Sequence, residues 1–323
     1  MTPVDAVDIE RLPSGGGSAD RQIPRPKPAT RRWSRQRPIL VFIAPATIIY
    51  SVFMVYPLLD SLRRSFFDDD GNYAGLANYD TLFTNPAFSD RFWGALGHNF
   101  QFFAFHMVLQ NPIGLVLAVL LTAQSVRGLN IYRTLIFLPT TLSVVIVGFI
   151  WRLILSPLWG VTESIGIDTP LLGESGTVLP TLSLISVWQW VGIPMIFFYA
   201  VLIAIPKDLI EAARVDGAGS WQVFRDITLP LILPMLGIVS VLTYIGNFNA
   251  FDLIFQVKGI VAGPDYASDI MGTFFYRTFF GASGTTGSAA MGATVASVMF
   301  LIILVGVLLY MFGWQRRVST YEL

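Results

Sequence analysis

Residues 211–230 read EAARVDGAGSWQVFRDITLP. The stretch is polar and helix-prone, yet it lies between two long apolar runs. It opens with Glu211, Ala212 and Ala213, reaches Gly217, and returns to apolar text at Ile227, Leu229 and Pro230. The spacing is E-A-A-x3-G-x9-I-x-L-P. A linker joining two apolar runs needs no such organisation, so the order of these residues calls for an explanation.

Local chemistry supplies part of it. Asp208 is placed to cap a helix starting near Leu209, and Glu211 follows at a capping-box-like distance. Ala212 and Ala213 are strong helix formers whose small side chains let another surface approach the backbone. Gly217 and Gly219 permit a turn that other residues resist. Ser220 is placed to cap a second short helix through about Asp226. Pro230 then opens the next apolar run, where its missing N–H costs little. The plain alternative is an ordinary amphipathic surface helix, because caps and glycine turns are common.

The 323-residue chain is 54% hydrophobic and 13% charged, against roughly a quarter charged in soluble domains. The apolar residues are clustered, which points to an integral membrane protein. The formal net charge is zero, so no global field favours nucleic acid. Cysteine is absent, which rules out disulfides and thiolate metal sites, and two histidines cannot build a zinc cage. No metal site is expected.

About 20 apolar residues cross a bilayer as helix. Six stretches qualify, near residues 39–62, 100–123, 131–155, 178–205, 229–255 and 290–314. Residues 1–38 carry eight Lys/Arg with Ser-Gly-rich text and no apolar periodicity, and are expected to be a disordered tail. The first apolar run is late and long for a cleaved signal peptide, so an uncleaved first span is expected. With the N-terminus inside, the inner segments and termini hold fifteen basic residues and the outer side six. Both termini and the loop 206–228 are then cytoplasmic. The outer Asp68-Asp69-Asp70 run lacks the alternating spacing of a calcium loop and reads as solvated.

The motif in 211–230 resembles the cytoplasmic docking loop of bacterial ABC importer permeases. Gly75-Leu76-Ala77-Asn78-Tyr79, with Leu82-Phe83 and Asn85-Pro86-Ala87-Phe88, resembles the first outer loop of their sugar-uptake members. Tyr132-Arg133-Thr134 with Pro139 resembles the start of their third span, and Gly263-Pro264 with Tyr276, Phe279 and Phe280 their last outer loop. These segments fall within residues 39–317. The nearest group is the maltose and glycerol-phosphate importer permeases, although the maltose member's extra N-terminal spans and large outer insertion are missing here.

The resemblance implies an all-α, six-span membrane protein with the type I ABC importer permease fold. It implies a tail over 1–38, a permease domain over 39–317 with a coupling loop at 206–228, and a cytoplasmic tail over 318–323. Glu211, Ala212, Ala213, Asp216 and Gly217 would couple to an ATPase. The implied partners are a second homologous permease, two ATPase subunits, an extracytoplasmic solute-binding protein and the lipid bilayer of a bacterial inner membrane. No nucleic-acid partner is implied.

The sequence contains no G-x-x-x-x-G-K-[ST] phosphate cradle. Hydrolysis would be borrowed, with ATP and magnesium on the partner subunits, no cofactor on this chain and no catalytic residues. His98 and His106 sit in no catalytic motif and read as structural.

A sugar site needs amide and hydroxyl groups beside aromatic faces. Polar residues at span mid-depth are expensive and tend to face the bundle interior or a cavity. The fourth span offers Trp188-Gln189-Trp190 and Gly192-Ile193-Pro194-Met195, and the fifth Thr243 to Asp252. Helical periodicity puts Thr243 and Asn247 on one face and turns Asn249 about 200° away from Asn247. By resemblance to the maltose member, Gln189, Gly192, Met195, Thr243, Asn247 and Ala250 fall at sugar-contact positions. Gln189, Met195 and Ala250 depart from its residue types. The alternative for each polar residue is interhelical bonding, worth about 1 kcal/mol. Arg152 and Asp252, near span ends, are explained by snorkelling or pairing.

The expected function is translocation of a sugar or sugar-like solute into the cytoplasm by an ATP-driven, binding-protein-dependent importer. The rival is a secondary transporter driven by an ion gradient. It predicts a central intramembrane carboxylate and often an inverted repeat, and the sequence displays neither.

Overall fold

The computed structural model describes residues 32–122, 128–157, 166, 170–282 and 285–315. Residues 1–31 and 318–323, where tails are expected, lie outside the described residues. The chain divides into two units, Met1–Val55 and Tyr56–Leu323.

In the first unit, α1 (Arg32–Tyr50) runs into a π-helical turn (Ser51–Val55). The helix thus begins within the stretch expected to be a tail, because Arg and Gln propagate a helix well. From Val41 to Met54 every side chain is exposed, Phe42 at 85%. A continuous apolar surface of that length suits lipid rather than water.

The second unit comprises α2 (Tyr56–Arg64), α3 (Ala77–Thr84), α4 (Pro86–Phe105), α5 (Asn111–Thr122), α6 (Leu129–Thr141), α7 (Val144–Ile154), α8 (Val178–Trp190) and α9 (Gly192–Ala204). It continues with α10 (Lys207–Val215), α11 (Ser220–Val223), α12 (Leu229–Phe248), α13 (Asp252–Lys258), α14 (Met271–Phe280) and α15 (Ala289–Leu309). Strand β1 (Gly281–Ala282) pairs antiparallel with β2 (Thr285–Thr286).

Four helical runs are long and apolar enough to cross a bilayer: Val41–Arg64, Pro86–Thr122, Ser220–Lys258 and Ala289–Gly313. Two bent pairs, α6 with α7 at 94° and α8 with α9 at 42°, bring the number to six if each is one span. The number matches the expectation, but the third stretch is not the straight helix its apolar run suggested. Leu142 and Ser143 leave helical geometry together, with ψ of 140° and 134°. The α8–α9 bend has a local cause. Pro194 lacks an N–H for the Trp190 carbonyl and its ring crowds that oxygen.

The second span begins earlier than the apolar run does. The Asn85 side chain caps the Ala87 N–H at 3.0 Å and Pro86 opens the helix, so the Asn-Pro pair is a start signal. The Gly-Leu-x-Asn-Tyr stretch is also structural. Asn78 donates to the carbonyls of Ser65 and Phe67 at 3.0 and 2.8 Å, and the Tyr79 hydroxyl meets Ser65 Oγ at 2.7 Å.

The acidic run 68–70 is more than solvated loop. The Asp68 carboxylate accepts the Asn72 N–H at 2.7 Å, which holds its carboxyl below the usual carboxylate value. Asp69 accepts the Ala290 N–H at 2.8 Å, an anion at the N-terminus of α15.

Small residues set the closest helix contacts. A Cβ on Gly114 of α5 would meet the Pro194 ring of α9 at 2.9 Å. One on Gly306 of α15 would enter the Tyr244 ring of α12. With little hydrophobic drive between helices in lipid, such close approach is what gives packing its strength.

Candidate functional site

A cavity of about 290 Å³ opens among α4, α7, α8, α9, α12 and α13 of the second unit. Each long helix presents one stripe to it. Alpha-12 contributes Val239, Leu242, Thr243, Gly246 and Asn247, and α8 with α9 contribute Ser186, Trp190, Ile193, Pro194 and Phe197. These spacings of three and four are one face of a helix. The second span adds Phe102, His106 and Gln110. The last two bound a π-helical turn, His106–Gln110, a geometry frequent at functional sites.

The polar groups are mostly committed. Thr243 Oγ1 lies 2.8 Å from the Val239 carbonyl and 3.2 Å from Asn111 Oδ1. Asn247 donates Nδ2–H to the Thr243 carbonyl at 2.7 Å, and its buried Oδ1 has no partner. His106 Nδ1 sits 2.8 Å from the Phe102 carbonyl, so Nδ1 carries the proton there, and Nε2 sits 2.9 Å from Ser186 Oγ. His98 is likewise paired, Nδ1 to the Asp269 carbonyl at 2.8 Å.

The structure gathers Thr243, Asn247 and Ala250 on the cavity wall and leaves Gln189, Gly192 and Met195 off it. Gln189 is fully buried and donates Nε2–H to the Leu142 carbonyl at 3.3 Å, where the α6–α7 break frees that oxygen. A Cβ on Gly192 would sit 3.0 Å from the Ile136 carbonyl, so this glycine lets α9 lie against α6. Met195 is fully buried in the α5–α9–α12 core. Asn249 departs from its expectation in the opposite sense. It lines the same cavity as Asn247 because the cavity reaches past the end of α12 at Phe248 and continues along residues 249–254. Asp252 lines it too. Gln110, His106 and Ser186 carried no sequence signal as lining residues, since their placement depends on tertiary contacts.

The second candidate surface is the loop 206–228. Alpha-10 closes in a Schellman motif: Ala218 N–H bonds the Ala213 carbonyl at 2.9 Å and Gly217 N–H the Arg214 carbonyl at 3.1 Å. Gly217 takes φ +90°, which explains the glycine in E-A-A-x3-G. Both expected caps shift toward the N-terminus, by two places before α10 and by one before α11. Pro206 precedes α10, leaving Asp208 within the first turn, and Gly219 precedes α11, leaving Ser220 as its first residue. Between α11 and Pro230 the helix widens into a π turn, Phe224–Thr228, in which Leu229 N–H reaches back to the Phe224 carbonyl. Glu211, Ala212, Asp216 and Gly217 are exposed and Ala213 half-buried. Val215 is 87% and Trp221 72% exposed, an unusual display of apolar surface on a polar loop.

Residues 110–318 match the family described as binding-protein-dependent transport system inner membrane component. The chain is 31% identical over 289 residues to the probable starch degradation products transport system permease protein AmyD of Thermoanaerobacterium thermosulfurigenes, covering 86% of this chain and 94% of that one. It is 29% identical over 287 residues to the lactose transport system permease protein LacF of Rhizobium radiobacter, with the same coverage of 86% and 94%. Among solved structures, a chain of a bacterial alginate ABC transporter, in complex with its alginate pentasaccharide-bound periplasmic protein, superposes with a TM-score of 0.75. That match has 24% identity and covers 89% of this chain and 98% of the other, which establishes a shared fold.

Proposed function

Because the chain belongs to the binding-protein-dependent transport system inner membrane component family, we propose that it is a permease subunit importing a sugar or sugar-like solute. The energy comes from ATP hydrolysed on two partner ATPase subunits, which hold the nucleotide and magnesium. A second, homologous permease completes the pore, and an extracytoplasmic binding protein delivers solute. The permease lies in the inner membrane with both termini and the loop 206–228 in the cytoplasm. The names of the starch-product and lactose relatives support the solute class.

The observation that carries the coupling role is the loop itself. Alpha-10, locked at its end by Gly217, offers exposed Val215, with exposed Trp221 on the adjacent α11. An ATPase seated there can push on α11, which runs through the π turn into α12 as one helical stretch, and so alternate access to the cavity. Glu211, Ala212, Ala213, Asp216 and Gly217 form the contact. Thr243, Asn247 and Ala250 are the solute-facing positions, beside the aromatic face of Trp190.

The test is purification of the tagged permease from its native membrane. An ATPase should co-purify, and uptake in reconstituted vesicles should require ATP inside. Uptake driven by an ion gradient in the absence of ATP would overturn the proposal.

A further inference from the structure

Three side-chain amides lie on the cavity wall, and two of them are held by carbonyls of α12. Asn247 donates Nδ2–H to the Thr243 carbonyl at 2.7 Å, and Asn249 donates Nδ2–H to the Ile245 carbonyl at 2.9 Å. Gln110 alone gives no hydrogen to the protein among the described residues, although it is only 6% exposed. Its Oε1 is occluded and unpartnered, so Nε2 is the atom of this amide that meets the cavity. The adjoining polar groups of the second span are spent on the protein. His106 bonds Phe102 and Ser186 through its two ring nitrogens. Asn111 accepts from Thr243 Oγ1 at 3.2 Å and donates to Met107 Sδ at 3.3 Å.

Packing gives no reason for an amide at position 110. A buried oxygen without a donor is a cost that an apolar side chain of similar length avoids. The π turn His106–Gln110 nonetheless delivers the group to the same wall as the Trp190 ring. An N–H open to a cavity is met by water until a solute displaces that water. The incoming solute must then accept from the amide or leave a donor unpaired, which costs about tenfold to a hundredfold in affinity. A hydroxyl oxygen accepts this bond while its own O–H stays free to donate, and the exposed Asp252 carboxylate on the wall is an acceptor for such donors.

We infer that Gln110 Nε2–H donates to a hydroxyl oxygen of the bound solute, so that the second span contributes a specificity-determining residue to a site otherwise drawn from the fourth and fifth. The inference deepens the importer reading and rests on it, with the same cavity as the solute site.

The test uses the permease co-purified with its ATPase, without the binding protein, so that recognition by the permease alone is read. Glycerol, glucose, maltose and lactose are screened to high millimolar concentration by tryptophan fluorescence at about pH 8, where a carboxylate is ionised. Monodeoxy analogues of the tightest binder then locate the hydroxyl. One analogue should bind the unaltered permease about tenfold more weakly than the intact solute does. In Gln110→Met, which keeps the length and loses the donor, the intact solute should weaken by about tenfold and its advantage over that analogue should vanish. Melting of Gln110→Met should stay at or above the parental temperature, because the orphan oxygen is gone. A purely structural role would instead lower melting and leave the discrimination intact. Gln110→Glu, whose carboxylate accepts but does not donate, should bind no better than Gln110→Met. Binding of none of the probes, equal binding of every analogue, discrimination that survives in Gln110→Met, or parental affinity in either variant would each overturn the inference. If Gln110→Met does not assemble, the analogue series and Gln110→Glu decide. Absence of an ATPase in the purified complex would instead strike the importer reading, so the two failures are distinct.

Discussion

The side-chain amide of Asn99 donates to the backbone carbonyl of Asn247 at 2.9 Å. Its oxygen meanwhile accepts the Met271 N–H at 2.7 Å, one of the free donors at the start of α14. One fully buried residue of α4 thus ties the turn that carries the unpartnered Asn247 Oδ1 to the beginning of another helix. Asn99→Leu would strand a carbonyl and an N–H together, at a cost of about 2–4 kcal/mol. The solubilised protein should melt at lower temperature. Asn99→Asp, which accepts but cannot donate, should fall between. Unchanged melting in Asn99→Leu would show that the bridge contributes nothing.

Gly217 should tolerate substitution according to backbone, not size. A Cβ there meets nothing within 4 Å, but φ is +90°. Asn visits positive φ readily, whereas a β-branched residue does so at about 1–2 kcal/mol or more. Gly217→Asn should therefore preserve ATP-dependent uptake. Gly217→Val should release the Schellman turn, shift α11 and reduce uptake severalfold at normal membrane abundance. Parental uptake in Gly217→Val would remove the rigid-helix argument for coupling.

Gln189 and Asn247 make an internal contrast. Both have a buried oxygen without a partner, but Asn247 lines the cavity and Gln189 faces the α6–α7 break. Gln189→Leu loses the bond to the Leu142 carbonyl and also removes the orphan oxygen. These effects oppose each other, so stability should change by less than about 1 kcal/mol. Solute affinity should hold in Gln189→Leu and fall in Asn247→Leu. A larger affinity loss in Gln189→Leu would return Gln189 to the site.

This contrast also marks what the sequence could reveal. Apolar runs of about 20 residues were legible because the bilayer demands them. The loop 206–228 was legible because a Schellman turn needs glycine at one fixed place. The cavity wall was legible only along one helix: Thr243 and Asn247 share a face by periodicity alone. Gln110 joins them through a π turn in another span, and Asn249 through the end of α12, features that a 3.6-residue period does not encode. Gln189 and Gly192 kept the polarity or smallness expected of a site, but both serve helix contacts, and packing asks for the same residue types.

Outside the spans, the Asp269–Arg277 pair offers a separate test of what holds the segment before α14. Arg277 Nη2 lies 2.5 Å from Asp269 Oδ2, and Nη1 reaches Asp269 Oδ1 at 3.2 Å and the Ile260 carbonyl at 3.1 Å. Thr273 donates to the same carboxylate at 2.7 Å. The Tyr266 ring lies 3.5 Å from the Arg91 guanidinium carbon and 4.7 Å from that of Arg277. The side chains are 2% and 12% exposed, so removing one partner leaves a charge with little access to water. Asp269→Ala should cost about 3–5 kcal/mol, far more than deleting an exposed pair. Arg277→Lys should recover only part, because an ammonium cannot form the two parallel bonds of a guanidinium. Exchanging the two residues should not rescue stability, since Thr273 and the Ile260 carbonyl are placed for one orientation of charge. Melting curves of the three variants, including the exchange, would decide, and full rescue by the exchange would reduce the network to simple charge pairing.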